Sequence, residues 1–262
     1  MMRILFIGDI VGKAGRQALD GLLERTLTDH QIDFTVANCE NAAGGMGITP
    51  VIASEFLDLG IDVLTSGNHI WAKKEIVSFL DEEERLLRPA NYPEGVPGRG
   101  TGLFKLGNGQ KVGVVNLEGR VFMKNLECPF RVGEKETGKL RAETRIILVD
   151  FHAEATSEKM ALAWFLNGKV SALLGTHTHV QTSDERILSG GTAYITDVGM
   201  TGPLASVIGI RRQIALDRFL TQIPWKFDVA TEEIELKGVI LDVEEETGKS
   251  RSIQRIRVSL GR

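Results

Sequence analysis

Residues 3–12 read RILFIGDIVG, a short apolar run that is closed by glycine and aspartate. The four consecutive apolar residues from Ile4 to Ile7 predict a buried β-strand. Behind it, apolar side chains recur at helical spacing from Ala18 to Leu27 and predict an amphipathic helix. The polar residue Asp9 therefore lies between a strand and a helix. A strand, a polar turn and a helix form the repeating unit of an α/β protein.

The same unit recurs along the chain and predicts an α/β fold. Thr49-Pro50 has the sequence of a helix start, and Asn108-Gly109 has that of a hairpin turn. Further helices are predicted at 73–82 and 157–166. Further strands are predicted at 34–37, 61–64, 103–106, 112–115, 146–151, 170–174, 192–196, 234–243 and 252–260. The first half of the chain predicts parallel strand pairing, and the later half predicts antiparallel hairpins. We therefore expect two sheets. A single domain that spans residues 1–262 is expected to contain both.

The composition excludes several classes of protein. A chain of 262 residues buries enough surface to fold without disulfides or a metal ion. Its formal net charge of −4 lacks the basic field with which proteins grip long nucleic acids. Two cysteines are too few for a disulfide framework and indicate a reducing compartment. The apolar start is too short for a signal peptide or a membrane span, so we expect a cytoplasmic protein without a membrane partner.

Polar side chains follow five of the predicted strands, at the point where each strand ends. In α/β sheets the carboxyl ends of strands are where ligands bind. Each side chain alone has an ordinary interpretation as a turn, cap or hydrogen-bonded core residue. Their joint occurrence at five strand ends, which includes four of the five histidines, favours a site instead. The candidates are Asp9, Glu40, Asn41, Asn68, His69, His152, His177 and His179.

These residue types are typical of a transition-metal site. Carboxylate, amide and imidazole ligands suit Mn²⁺, Fe or Zn²⁺, and the set is large enough for two ions. Glu40 is the natural bridge between them, because one carboxylate offers two oxygens. In an extended chain His177 and His179 project to the same side. Cys39 points away from its neighbour Glu40 and is predicted to be a small buried hydrophobe.

The ordered motifs resemble those of a known enzyme family. They are Asp9, Asn38-Cys39-Glu40-Asn41, Gly67-Asn68-His69, Asp150-Phe151-His152 and Gly175-Thr176-His177-Thr178-His179. They are similar to the motifs of the calcineurin-like metallophosphoesterases and, more narrowly, of their bacterial YmdB-type branch, whose members are described as 2′,3′-cyclic nucleotide phosphodiesterases. Two departures from the wider superfamily match the narrower branch. They are Asp9-Ile10-Val11 in place of Asp-x-His and Glu40-Asn41 in place of Gly-Asp.

The resemblance implies a two-sheet αββα sandwich with the metal site at the carboxyl ends of the strands. It also implies two divalent or trivalent transition-metal ions per chain, with iron or manganese preferred and zinc as an alternative. One ion is then held by Asp9, Glu40, Asn41 and His179. The other is held by Glu40, Asn68, His152 and His177. His69 stays free over the substrate.

The implied chemistry is the hydrolysis of 2′,3′-cyclic nucleotides to nucleoside monophosphates by in-line attack of a metal-bridging hydroxide. His69 then acts as the general acid for the ribose leaving group. Bare backbone N–H groups of Gly44 and Gly45 are predicted to bind the substrate, although a surface turn is an equally good interpretation of this loop. Asp197 also ends a predicted strand and is expected to support a histidine ligand.

Two other functions remain open at this point. One is a broader phosphomonoesterase or nuclease that uses the same metals. The other is a non-catalytic regulator that binds a nucleotide or RNA, which the unligated His69 argues against, because a structural metal site is normally closed. The expected partners are a small nucleotide, with RNA as the alternative, and further copies of the chain in a homo-oligomer.

Overall fold

The computed structural model describes residues 1–261 as thirteen strands and six α-helices. The strands are β1 (Met2–Ile7), β2 (Asp9–Ile10), β3 (Phe34–Asn38), β4 (Val63–Thr65), β5 (Thr101–Lys105), β6 (Lys111–Glu118), β7 (Ile146–His152), β8 (Ala172–Thr176), β9 (Arg186–Ile187), β10 (Ala193–Ile195), β11 (Met200–Pro203), β12 (Ile234–Val243) and β13 (Ser250–Ser259). The helices are α1 (Gly12–Asp29), α2 (Pro50–Asp58), α3 (Ile76–Glu82), α4 (Pro129–Leu140), α5 (Thr156–Leu166) and α6 (Arg212–Thr221). Within residues 1–261, no helix is both long and apolar enough to cross a membrane.

The strands form two mixed sheets. The seven-stranded sheet has the order β2-β11-β12-β1-β3-β4, with β13 beside β12, and the six-stranded sheet has the order β5-β6-β7-β8-β10-β9. β1 runs parallel to β3 but antiparallel to β12. β6 runs parallel to β7 but antiparallel to β5. Two sheets are therefore confirmed, but the expected division into a parallel and an antiparallel sheet is wrong, because the closing hairpin of β12 and β13 inserts beside β1.

Alternate residues of β1 show how the layers pack, because successive side chains of a strand point to opposite faces. Ile4 and Phe6 lie in a buried cluster that joins the two sheets face to face. Leu5 and Ile7 lie in a second cluster, which joins the seven-stranded sheet to α1 and α2. A third cluster joins the outer face of the six-stranded sheet to α4 and α5. The α/β class is confirmed, with helices on both outer faces of the paired sheets.

Several boundaries differ from the prediction. The strand predicted at 170–174 runs over Ala172–Thr176, so it ends directly before His177. The helix predicted at 73–82 is shorter, since a 3-10 turn at Ile70–Ala72 precedes α3. The sequence pattern does not predict β2, β9 or β11, because strands of two to four residues are too short to show an alternation of apolar and polar residues. It also misses α4, which buries small or polar residues such as Gly133 and Thr137, and α6, which buries only Ala215.

Candidate active site

The candidate residues lie at the carboxyl ends of strands from both sheets. Asp9 begins β2, which Gly8 separates from β1, and Glu40 follows the end of β3. His152 is the last residue of β7, and His177 follows β8. Glu40 Oε1 lies 3.1 Å from His152 Nε2, and both side chains are buried. The strand ends of the two sheets therefore meet at this contact.

Three side chains surround His152 Nε2. Asn68 Oδ1 lies 3.0 Å away, His177 Nδ1 3.0 Å and Glu40 Oε1 3.1 Å. Glu40, His152 and His177 offer ligand atoms that all lie within 4.8 Å of one another. Nitrogen and oxygen donors at this spacing form a candidate metal-binding group for a transition metal.

A second group of side chains adjoins Glu40 through Asn41. Asn41 Nδ2 lies 3.1 Å from Glu40 Oε1 and 3.2 Å from His179 Nε2. Asp9 Oδ1 lies 3.7 Å from the same nitrogen of His179. This buried carboxylate oxygen has no hydrogen-bond partner within residues 1–261, although buried polar atoms are normally paired. A cation bound between Asp9 and His179 would supply the missing partner.

Burial and mutual charge shift the pKa values of the central groups. Burial alone would raise the pKa of Glu40, but the charges and hydrogen bonds of His152 and His69 lower it well below its ordinary value. Burial opposes protonation of His152, yet the carboxylates of Glu40 and Asp9 raise its pKa to about 9. Burial and the charge of His152 lower the pKa of His177 to about 3. The two ring nitrogens that face each other, His152 Nε2 and His177 Nδ1, lie 3.0 Å apart.

A buried chain of hydrogen bonds from His152 through Thr176 to Asp150, here called the relay, fixes the ring of His152. Thr176 Oγ1 donates a hydrogen bond to Asp150 Oδ1 at 2.7 Å, so the hydroxyl accepts from His152 Nδ1 at 3.0 Å. Asp150 also accepts hydrogen bonds from Thr65 and Asn38, and burial raises its pKa to about 6. The relay keeps a proton on Nδ1 of His152, which makes Nε2 the nitrogen that can bind a metal.

Gly67 makes room for the same ring. A Cβ atom at this position would lie 2.2 Å from His152 Cδ2, far closer than carbon atoms approach. The backbone that follows β4 therefore lies directly against the imidazole. This close approach is the reason for the glycine in the Gly67-Asn68-His69 motif.

His177 and His179 converge through a strained turn. Their φ angles are +100° and +65°, which residues with a Cβ atom rarely adopt. The expectation that an extended chain projects them to one side is therefore wrong. Asp197 Oδ2 holds the turn, because it accepts hydrogen bonds from the N–H (3.0 Å) and the hydroxyl (2.8 Å) of Thr178. Asp197 is itself paired with the buried Lys159 at 2.8 Å, and it supports both histidines through Thr178.

The four site histidines differ in exposure. The side chain of His69 is 31% exposed, that of His177 21%, that of His179 13% and that of His152 0%. His69 Nδ1 lies 2.8 Å from Asn41 Oδ1, and the His69 N–H donates to Glu40 Oε2 at 2.9 Å. The backbone of His69 is thus fixed to the centre while its ring reaches the mouth of the site.

The glycine loop after Asn41 differs from the prediction in one respect. Gly44 and Gly45 both have positive φ angles, as a tight turn requires. The Gly45 N–H already donates to the Asn41 carbonyl at 3.1 Å. The expectation of a bare N–H at Gly45 is therefore wrong, and this amide instead fixes the backbone of a candidate ligand. Gly44 is exposed, and its contact with substrate stays a prediction.

Two charged residues at the site are missing from the prediction. Glu118 ends β6 opposite His152, and both oxygens of its buried carboxylate lack hydrogen-bond partners within residues 1–261. Burial raises the pKa of Glu118. Lys124 Nζ lies 3.4 Å from the Asn68 carbonyl and 3.2 Å from Tyr92 Oη. The strand predicted at 112–115 stops short of Glu118, where β6 ends. A search for polar residues directly after predicted strands therefore misses Glu118.

Comparisons with known proteins find relatives of similar sequence and similar fold. A family model described as "YmdB-like protein" matches residues 5–256. The chain is 47% identical to the 2′,3′-cyclic-nucleotide 2′-phosphodiesterase of Bacillus subtilis (strain 168), over 98% of this chain and 97% of that protein. A hypothetical protein from Thermus thermophilus has a similar structure, with a TM-score of 0.90 and 41% identity over 98% and 99% of the two chains. A novel phosphatase from Mycoplasma pneumoniae gives a TM-score of 0.92 and 32% identity over 98% and 93%.

The relay behind His152 predicts a stability effect for Thr176→Val. The substitution keeps the volume of this buried side chain but leaves the His152 N–H and an Asp150 oxygen without a partner. We expect the free energy of unfolding to fall by about 1–3 kcal/mol in urea titrations with a chelator present. Thr101→Val, on the edge strand β5, is the matched control and is expected to change it little. Equal losses in the two variants would contradict the relay.

Proposed function

The chain belongs to the YmdB-like family, and on that premise we propose that it is a phosphodiesterase that hydrolyses 2′,3′-cyclic nucleotides to nucleoside monophosphates. The observation that carries this proposal is the cluster of nitrogen and oxygen donors around Glu40 and His152. The name of the Bacillus subtilis relative assigns the broken bond to the 2′ oxygen, and we propose the same bond for this chain.

The residues present fit two transition-metal ions. Asp9 offers an unpaired buried oxygen, and the nitrogens of His152 and His177 lie together beside Glu40. We assign one ion to Asp9, Glu40, Asn41 and His179, and the other to Glu40, Asn68, His152 and His177. Asn41 now presents its nitrogen to His179, so its amide must turn by 180° to offer oxygen. Iron or manganese suits these donors, and zinc is the alternative.

The metal ligands and His69 have different roles in the proposed hydrolysis. When bound, the two ions supply the activation of water and the compensation of phosphoryl charge that in-line hydrolysis needs. His69, the most exposed of the site histidines, is placed to meet the substrate. Asn41 contacts Nδ1 of this ring at 2.8 Å, so the opposite nitrogen, Nε2, is the one that would donate a proton to the departing ribose oxygen. Glu40 Oε1 lies 3.3 Å from the same Nδ1 and helps to fix the orientation of the ring.

A panel of four substrates tests the proposed function. We expect metal-replete enzyme to hydrolyse 2′,3′-cyclic AMP in preference to 3′,5′-cyclic AMP and to single-stranded nucleic acid, with 3′-AMP as the product by chromatography. Bis-p-nitrophenyl phosphate reports whether the metal centre is active at all. Faster cleavage of nucleic acid would identify a nuclease. Absence of hydrolysis in all four assays would favour a non-catalytic nucleotide- or RNA-binding regulator.

The bridging role of Glu40 predicts the metal content. Elemental analysis of metal-replete protein is expected to find about two ions per chain, and Glu40→Ala is expected to lose metal and activity together, because two cations then share less negative charge. Glu55→Ala, an exposed carboxylate on α2, is the matched control and is expected to keep both ions. Circular dichroism is expected to stay native after chelation. Retention of both ions in Glu40→Ala would mean that another residue is the bridge.

The general-acid role of His69 predicts a substrate-dependent loss. His69→Ala is expected to keep both metals but to lose about 10²–10⁴ in turnover of cyclic nucleotides. The loss is expected to shrink with a p-nitrophenyl ester, whose phenolate leaves without a proton. His152→Ala and His177→Ala are expected to lower metal occupancy and to impair both substrates. Equal impairment of His69→Ala on both esters would identify His69 as an electrostatic phosphate-binding group instead.

A further inference from the structure

The loop after β6, residues 119–124, is here called the rim loop, and it joins two of the proposed metal ligands. At its start the Gly119 N–H donates a hydrogen bond to the His152 carbonyl at 2.9 Å. At its end Lys124 Nζ lies 3.4 Å from the Asn68 carbonyl. Because both ends contact the backbone of these two ligands, the residues between them lie along one edge of the site.

The rim loop is held in one conformation by hydrogen bonds. The buried carboxylate of Glu158, in the first turn of α5, accepts hydrogen bonds from the N–H groups of Arg120 at 3.1 Å and Val121 at 3.2 Å. The Met123 N–H donates to the Arg120 carbonyl at 3.2 Å and closes a turn. The loop therefore has its shape before a ligand binds, which lowers the entropy that binding costs.

Phe122 lies within this turn in an unfavourable conformation. Its φ angle is +62°, which is rare for a bulky residue with a Cβ atom, and the residue is 90% exposed. Neither burial of the ring nor a relaxed backbone stabilises this arrangement. Strained residues of this kind cluster at ligand-binding sites. The exposed ring offers a flat apolar face to a ligand at the edge of the site.

Lys124 places a positive charge at the same edge. Besides the Asn68 carbonyl, its Nζ contacts Tyr92 Oη at 3.2 Å. The ring of Tyr92 is fixed in turn, because it packs edge to face with Trp71 at a centroid distance of 5.6 Å. Lys124 forms no ion pair with a carboxylate within residues 1–261. Its ammonium group has only neutral hydrogen-bond partners there, so its charge is available to an anion such as a phosphate.

We propose that the rim loop is the subsite that binds the nucleotide, where the ring of Phe122 stacks on the nucleobase and Lys124 binds a phosphate oxygen. The inference rests on the proposed function, since it gives the cyclic nucleotide its place beside the metal centre. The Cα atoms of Phe122 and Lys124, two residues apart, lie within about 7 Å of each other, a span that one nucleotide covers. Every base has a π face, so this subsite selects nucleotides as a class rather than one base.

Affinity measurements test the two side chains separately. Calorimetric titration of the metal-replete full chain with 3′-AMP and with inorganic phosphate measures binding without turnover. Phe122→Ala is expected to weaken 3′-AMP binding by about 5–100-fold, the contribution of one stacked base, and to leave phosphate binding unchanged. Phe122→Trp keeps a ring and is expected to keep the affinity. Lys124→Met is expected to weaken the binding of both ligands, and Lys124→Arg is expected to weaken it less.

Matched controls come from exposed residues on the outer helices. Trp164→Ala on α5 and Lys135→Met on α4 are expected to leave both affinities unchanged. Circular dichroism checks the fold of each variant, and no core contact is lost because Phe122 and Lys124 are both exposed.

Kinetics test the same assignment on the reaction. Phe122→Ala is expected to raise KM for 2′,3′-cyclic AMP by a similar factor with little change in kcat, because stacking is equal in the ground state and the transition state. The base-free analogue 1,4-anhydroribitol 2,3-cyclic phosphate is expected to be hydrolysed equally well by the wild type and by Phe122→Ala.

Four outcomes decide the proposal. Unchanged 3′-AMP affinity in Phe122→Ala, or an equal loss of 3′-AMP and phosphate affinity, would overturn the stacking role of Phe122. Unchanged phosphate affinity in Lys124→Met would overturn the role of Lys124. A wild type that binds 3′-AMP through Phe122 but hydrolyses no cyclic nucleotide would support the subsite and contradict only the proposed function.

Discussion

The contact between Glu40 of one sheet and His152 of the other is the interaction on which the site depends. A buried carboxylate loses several kcal/mol of hydration, so it is stable only where charges and hydrogen bonds replace water. Here Glu40 is compensated by the imidazole of His152, the N–H of His69 and the amide of Asn41. His152 ends β7, and Asn41 and His69 lie in the turns that follow β3 and β4, so the packing of the two sheets also brings the charges of the site together.

Close backbone contacts hold Asp9 within this centre. Asp9 pairs in register with Met200 of β11, a strand that is distant in the sequence. The residue before it, Gly8, lies so close to Gly199 that a Cβ atom would meet the Gly199 carbonyl at 2.0 Å. The segment from Asp197 to Met200 thus supports two parts of the site. It pairs with the strand that carries Asp9, and its aspartate holds the turn at Thr178.

The sequence predicts those features that local pattern controls. Strand ends are local, so the rule of polar residues after apolar runs finds Glu40 and His152 together with Asn68 and His177, although it misses Glu118. The turn at His177 and His179 is not local, because its positive φ angles depend on hydrogen bonds to Asp9 and Asp197, which are distant in the sequence. The same holds for the insertion of β12 beside β1. The helix α6 is missed for a different reason, because it buries only Ala215 and therefore has no apolar face that packs on the sheets.

The four site histidines show how environment sets the role of one side chain, because the partner of one ring nitrogen decides what the other can do. His152 meets the Thr176 hydroxyl, and His179 donates to the Ile208 carbonyl at 2.9 Å. In both, Nε2 is the nitrogen that faces the carboxylates. His177 instead turns Nδ1 to the centre and Nε2 to Glu154 at 3.0 Å. His69 has the most exposed ring of the four, and its Nδ1 contacts the amide oxygen of Asn41 at 2.8 Å; the proposed general-acid role rests on this placement at the mouth of the site.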